Sequence, residues 1–173
     1  MDNRGTQNKT SPRFELVNIS VQKRAELLDG TRWSNEFIWD DLQAFAQYIE
    51  LFKIAKGTTI FAQGDRELFM GLILKGSVNI LKEDSQHHNK VLTTIGKDKT
   101  LGEMALIDGQ PRSASAITAE DTVMFVLTKD KFEIMADKHP KVWGTFLLKL
   151  CKLLSQRLRE TSGELVDYLG RKD

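Results

Sequence analysis

In the stretch LGEMALIDGQPRSASA, residues 101–116, a glutamate stands directly after a glycine and, nine residues later, an arginine stands directly after a proline. EMALI is a good helix former only long enough for about one turn, so the first backbone N–H groups after Gly102 lack intrahelical partners and favour an anion. Gly102 lets the backbone come close to that anion. Arg112 offers a planar set of N–H donors that matches two oxygens of a phosphate, and Pro111 stiffens its approach. A phosphate would repel the carboxylate of Glu103, which therefore suits a hydroxyl donor, most naturally a sugar. With Met104 as an apolar contact for a flat base, the ligand described is a compact anion joined to a ribose-like ring and a base. A cyclic nucleotide meets that description.

Those residues need a scaffold, and the chain around them reads as one. From Leu51 to Lys129 short apolar or alternating runs, TTIFAQ, LFMGLILKG, SVNILKE, KVLTTIG, ASAITAED and TVMFVLT, are separated by glycines and polar turns. Short strands at such regular spacing predict a jelly-roll barrel or sandwich. Before them, Ser34 is placed to cap a helix through Ile38, Leu42, Phe45, Ala46 and Ile49, with Trp33 stapled onto Ile38. Phe14–Trp33 reads equally as strand or helix. After Pro140, residues Trp143, Leu147, Leu150, Leu154, Leu158, Thr161, Leu165 and Leu169 recur at helical spacing, which predicts one long closing helix. The expected division is a polar tail and extension over 1–33, a β-roll with its leading helix over 34–139, and the long helix over 140–173.

Composition narrows the function classes. The 25 Lys and Arg against 24 Asp and Glu leave a net charge of +1, which gives no electrostatic case for a nucleic acid or a membrane surface. One cysteine excludes an internal disulfide framework, and no signal-peptide core or bilayer-length apolar run is present, so a soluble cytoplasmic protein is expected. Cys151, beside the helix stripe, reads as a small buried hydrophobe. Enzyme motifs are missing: there is no GxSxG, no HExxH, and the GK at Gly96–Lys97 lacks the glycine and the Ser or Thr of a P-loop. His87–His88 in a polar loop, with His139 far along the chain, do not make a metal site.

GEMALIDGQPRSA resembles the phosphate-binding cassette of cyclic nucleotide-binding domains, and FAQGD and LILKGSVNIL resemble the strands before it in that family. The resemblance covers roughly residues 35–170. It implies a mainly β fold with flanking helices, a jelly-roll (double-stranded β-helix) followed by a long C-terminal dimerisation helix. It also implies that Glu103 binds the ribose 2′-hydroxyl, that Arg112 binds the cyclic phosphate, and that Gly102, Ala105, Ser113 and Ala114 shape the phosphate turn. The last helix is similar to that of the bacterial catabolite activator subfamily, whose Thr-Ser pair against adenine maps onto Thr161 and Ser162. Cyclic AMP is then the expected ligand, ahead of cyclic GMP, with no metal. Gly71 stands where the family usually has a larger residue in the strand, and Gly163 departs from a good helix interior. Catabolite activators continue into a helix-turn-helix, whereas this chain stops a few residues past Leu169. The expectation is a sensor that signals to a homodimer or protein effector without binding DNA or membrane; the alternatives are a ligand-independent interaction protein of the same fold and a fragment of a Crp/Fnr-type regulator.

Overall fold

TVMFVLT alternates because its two faces meet two different cores. The structure, a computed structural model, describes residues 14–83 and 88–170. In it this segment is β9 (Thr122–Thr128), with Phe125 and Leu127 turned into one apolar cluster and Met124 into another. β4 (Phe69–Lys75) beside it divides the same way: Met70 and Leu72 face the first cluster, Ile73 the second.

These strands centre a five-stranded antiparallel sheet. Its order is β1 (Phe14–Val17), β2 (Glu50–Ile54), β9, β4 and β7 (Thr100–Leu101). The second sheet runs β3 (Thr59–Phe61), β8 (Ser115–Thr118), β5 (Ser77–Glu83) and β6 (Asn89–Gly96), also antiparallel. The two sheets enclose Ile54, Ile60, Phe61, Ile73, Val78 and Met124 as the jelly-roll core. The other face of the larger sheet is covered by helices α1 (Val21–Asp29), α2 (Trp39–Phe45), α4 (Lys129–Lys138) and the start of α5 (Pro140–Gly170). The fold is thus mainly β with flanking helices and a long C-terminal helix, as expected. No helix among the described residues is long and apolar enough to cross a membrane.

Three local expectations need correction. The helix predicted from Ser34 is only α2, which starts five residues later with Ile38 as its N-cap. Ser34 instead closes a 3₁₀ turn (Arg32–Ser34), and its hydroxyl donates to the carbonyls of Thr31 (2.8 Å) and Asp29 (3.3 Å). Trp33 is drawn into the core against Phe37 and Phe45 while Ile38 stays 59% exposed, so no staple forms between them. Phe14–Trp33, which read both ways, holds both: strand β1, then α1, capped by Ser20 whose Oγ accepts from the Lys23 amide. Cys151 is exposed, not buried, because the inward face of α5 is Val142, Phe146 and Leu150, and Cys151 is rotated about 100° from Leu150.

Gly71 has a packing reason. A Cβ there would lie 1.8 Å from Met124 Cε and 3.2 Å from Leu101 Cδ2, so the methionine side chain fills the space that a larger residue would take in that strand.

Candidate functional site

The loop between β7 and β8 carries the cassette residues, and glycine geometry explains its entry. Gly102 has φ +77°, and a Cβ on it would sit 2.5 Å from Arg112 Nη1 and 2.8 Å from the Phe69 carbonyl oxygen. Only glycine allows the arginine this close. From Gly102 the chain enters α3 (Glu103–Asp108), the single turn expected of EMALI, with Glu103 and Ala105 buried and Met104 50% exposed at the surface.

Arg112 is fixed by its main chain first. Its carbonyl accepts from the Gly64 amide and its own amide donates to the Asp65 carbonyl, both at 2.9 Å. Asp65 Oδ2 in turn accepts from the Ala62 amide at 2.7 Å, so FAQGD is a turn that clamps the cassette arginine. Nη1 then donates to the Gly102 carbonyl at 3.0 Å. Ser113 follows at the surface and Ala114 is half-buried as the chain enters β8. The structure therefore brings the start of α3 and the Arg112 loop into one site.

Glu103 and Arg112 do not neutralise each other. Glu103, 2% exposed, pairs through Oε1 with the guanidinium of Arg157 on α5, whose Nη2 also donates to the Thr100 carbonyl at 2.8 Å. Arg157 escaped the sequence reading because 54 residues separate it from Glu103; the available signal was a cation one helical turn before Thr161. Burial pushes the Glu103 carboxyl above the ordinary carboxylate range, and the charges of Arg157 and then Arg112 only partly oppose this. Burial also presses the Arg112 pKa below the usual arginine value, against the pull of Asp65, Glu67 and Glu103.

The remaining polar atoms define what the site can bind. Arg112 Nε and Nη2, which share one edge of the guanidinium, are buried without a hydrogen-bond partner among the described residues, as are Glu103 Oε2 and Thr100 Oγ1. Buried donors and acceptors carry a desolvation cost unless something pairs with them. A donor edge that fits an anion thus lies beside an acceptor that fits a hydroxyl.

Thr161 and Ser162 stand apart from this cluster in the single chain. They lie on the exposed distal part of α5, Thr161 one turn beyond Arg157 on the same helix face, and Ser162 Oγ donates to the Leu158 carbonyl at 2.8 Å. Gly163 is accommodated within the helix, with open space where a Cβ would stand. Among the described residues no group of three or more His, Cys, Asp or Glu is placed to hold a metal; His87 lies outside them.

Comparison with known proteins places this geometry. The pattern of the cyclic nucleotide-binding domain matches residues 51–139, which run from within β2 through α4 and include the whole cassette. The chain is 33% identical over 109 residues to the Pycsar effector protein XpPycTIR of Xanthomonas perforans, covering 62% of this chain and 34% of that protein. It is 29% identical over 126 residues to the cyclic AMP receptor protein of Thermus thermophilus, covering 73% of this chain and 56% of that one. The chain thus spans between about a third and just over half of these curated relatives. Among solved structures, a cyclic nucleotide-binding domain from Methylobacillus flagellatus superposes with a TM-score of 0.79 at 24% identity over 92% of both chains. The Thermus thermophilus catabolite activator protein superposes with a TM-score of 0.68 at 28% identity, over 77% of this chain and 61% of that one. The chain belongs to the cyclic nucleotide-binding domain family.

Proposed function

We propose that this protein is a cyclic AMP sensor module that signals through α5 to a homodimer or protein effector. The observation that carries the reading is the buried Arg112 edge, Nε and Nη2 without partners, held next to the unpaired oxygen of Glu103. In this reading Arg112 takes the cyclic phosphate in a bidentate contact, and Gly102, Ala105, Ser113 and Ala114 form the turn around it. The ribose 2′-hydroxyl donates to Glu103, and Met104 lies against the base.

Glu103 also gives the site an output. A hydroxyl arriving at its carboxylate must share it with Arg157, so ligand binding alters the ion pair that ties the cassette to α5. The shift passes to the distal helix, whose Leu158, Leu165, Val166, Tyr168 and Leu169 are all more than half exposed. This stripe is longer than the small barrel can cover, and a second copy of α5 packed in parallel would bury it. Light scattering is expected to show a dimer that Leu158→Glu converts to a monomer; a stable monomer with and without ligand contradicts the pairing.

In the helix-paired dimer of this reading, where Thr161 and Ser162 come against the base, the base end favours adenine. Because the Ser162 hydroxyl directs its proton to the Leu158 carbonyl, its lone pairs face outward and accept from an amino group, such as the adenine 6-amino. Guanine presents a carbonyl at that position. Ser113 opposes this, since its hydroxyl could reach the guanine 2-amino group, but serine is shorter than threonine and lacks its methyl. One mispaired polar edge is worth about 1–3 kcal/mol, so paired calorimetric titrations should favour cyclic AMP over cyclic GMP by about ten- to a hundredfold. Equal or inverted affinities overturn the ligand assignment. A Thr161→Val, Ser162→Ala double variant should lose the preference.

Binding should also depend on pH, with a sign set by Glu103. The ribose hydroxyl donates to the ionised carboxyl, and burial keeps that carboxyl protonated to a higher pH than an ordinary glutamate. Affinity is therefore level above the raised pKa and falls as the pH drops through it. Glu103→Gln should bind more weakly at neutral pH and lose the dependence; a wild-type affinity that stays constant down to the ordinary carboxylate range contradicts the role.

A further inference from the structure

The side chain of Arg112 is held in a way that the phosphate contact alone does not require. Its guanidinium carbon lies 4.1 Å from the ring centroid of Phe61 and 4.4 Å from that of Phe69. The two rings meet edge to face, 5.9 Å apart at 70°, and form a corner around the cation. Phe61 ends β3 with 8% exposure, rooted in the core between the sheets, and Phe69 opens β4 and packs against the same core. The corner is thus made from both sheets and has little freedom to move.

We propose that Phe61 and Phe69 are positioning residues that hold the buried Arg112 cation in its anion-binding pose, where a carboxylate would defeat the site. This rests on the reading of Arg112 as the phosphate ligand. A buried guanidinium needs compensation. A carboxylate would supply it by occupying the in-plane N–H donors and by cancelling the charge that attracts an anion. Aromatic faces attract the cation through the ring quadrupole and use no donor. The arrangement in the site follows that division. Nη1 is spent on the Gly102 carbonyl, the rings lie against the cation, and Asp65, Glu67 and Glu103 act on its charge without forming an ion pair with it. No carboxylate among the described residues pairs with Arg112, so the Nε and Nη2 edge is left to a ligand. The contribution to affinity is preorganisation: if the rings no longer hold the cation, the binding pose is populated for only a fraction of the time, and the apparent affinity falls by that fraction.

The test is the affinity of the full chain for cyclic AMP as the ring electrostatics at position 69 are changed at nearly constant shape. Replacing Phe69 by mono-, di- and trifluorophenylalanine should weaken binding stepwise, to a total of about tenfold, while the unfolding temperature stays near that of the wild type. Phe69→Leu should weaken binding by a similar factor, and Phe69→Tyr should restore it. Wild-type binding with a flat fluorine series and an unaffected Phe69→Leu overturns the positioning role and leaves the phosphate reading standing. A wild-type chain that binds neither cyclic AMP nor cyclic GMP overturns the phosphate reading and the positioning role with it.

Discussion

Arg112→Ala is expected to abolish measurable cyclic nucleotide binding while leaving the protein folded. The loss is large because the contact is charge-assisted, bidentate and buried: Arg112 is 3% exposed and presents two donors on one edge. Removing one partner of such a contact costs about 2–5 kcal/mol, a factor of tens to thousands in affinity. The fold should survive because the bonds that clamp this loop, from the Gly64 amide to the Arg112 carbonyl and from the Arg112 amide to the Asp65 carbonyl, are made by the main chain. The substitution also removes a buried charge from a corner lined by Phe61 and Phe69. Calorimetric titration with cyclic AMP, beside thermal unfolding of the same sample, separates the two effects. A folded variant with parental affinity would place the phosphate elsewhere. Arg112→Lys should bind weakly too, since an ammonium keeps the charge but not the planar fork.

The largest stability loss is expected at Phe146→Ala. Phe146 is fully buried on the first half of α5, with its ring 5.1 Å from Phe45, 5.6 Å from Trp33 and 5.9 Å from Phe132. It thereby joins α5 to the 3₁₀ turn, α2 and α4 in one aromatic cluster. Truncation removes the transfer energy of the ring and leaves a cavity among rigid neighbours that cannot easily close it, for a loss of about 3–5 kcal/mol. The urea midpoint should fall with the slope unchanged. A loss below about 1 kcal/mol would mean that α5 is not anchored at this point. The salt bridges from Glu36, between the 3₁₀ turn and α2, to Lys149 and Lys152 on α5 lie nearer the surface, where ion pairs contribute little beside this ring.

What could be read in advance follows physical locality. β5 and β9 match the runs SVNILKE and TVMFVLT residue for residue, because both alternate with a period of two over seven positions, β9 between two cores and β5 between the jelly-roll core and its outer face. α5 was legible because Pro140 opens it and its apolar spacing persists for many turns. The cassette was legible because Gly102, Glu103 and Arg112 lie within eleven residues and act as a local unit. β2 was missed because Ile49 continues a helical spacing straight into ELFKI, with no glycine or proline at the change of period. α4 was missed for a similar reason: Thr128 is both the last residue of β9 and the N-cap of the helix, so strand passes into helix without a turn. Arg157 and the ring corner depend on contacts between distant segments, which no local pattern encodes.

The account joins a binding event at the cassette to a response in the last helix, and amide hydrogen exchange with and without saturating cyclic AMP reads both in one measurement. The predicted result is slower exchange over residues 102–116, accompanied by altered exchange over the stretch of α5 around Arg157, with neither change in Arg112→Ala. Protection of the cassette with an unchanged helix would contradict the Glu103–Arg157 coupling. Identical exchange along the whole chain in both conditions would contradict the sensor itself.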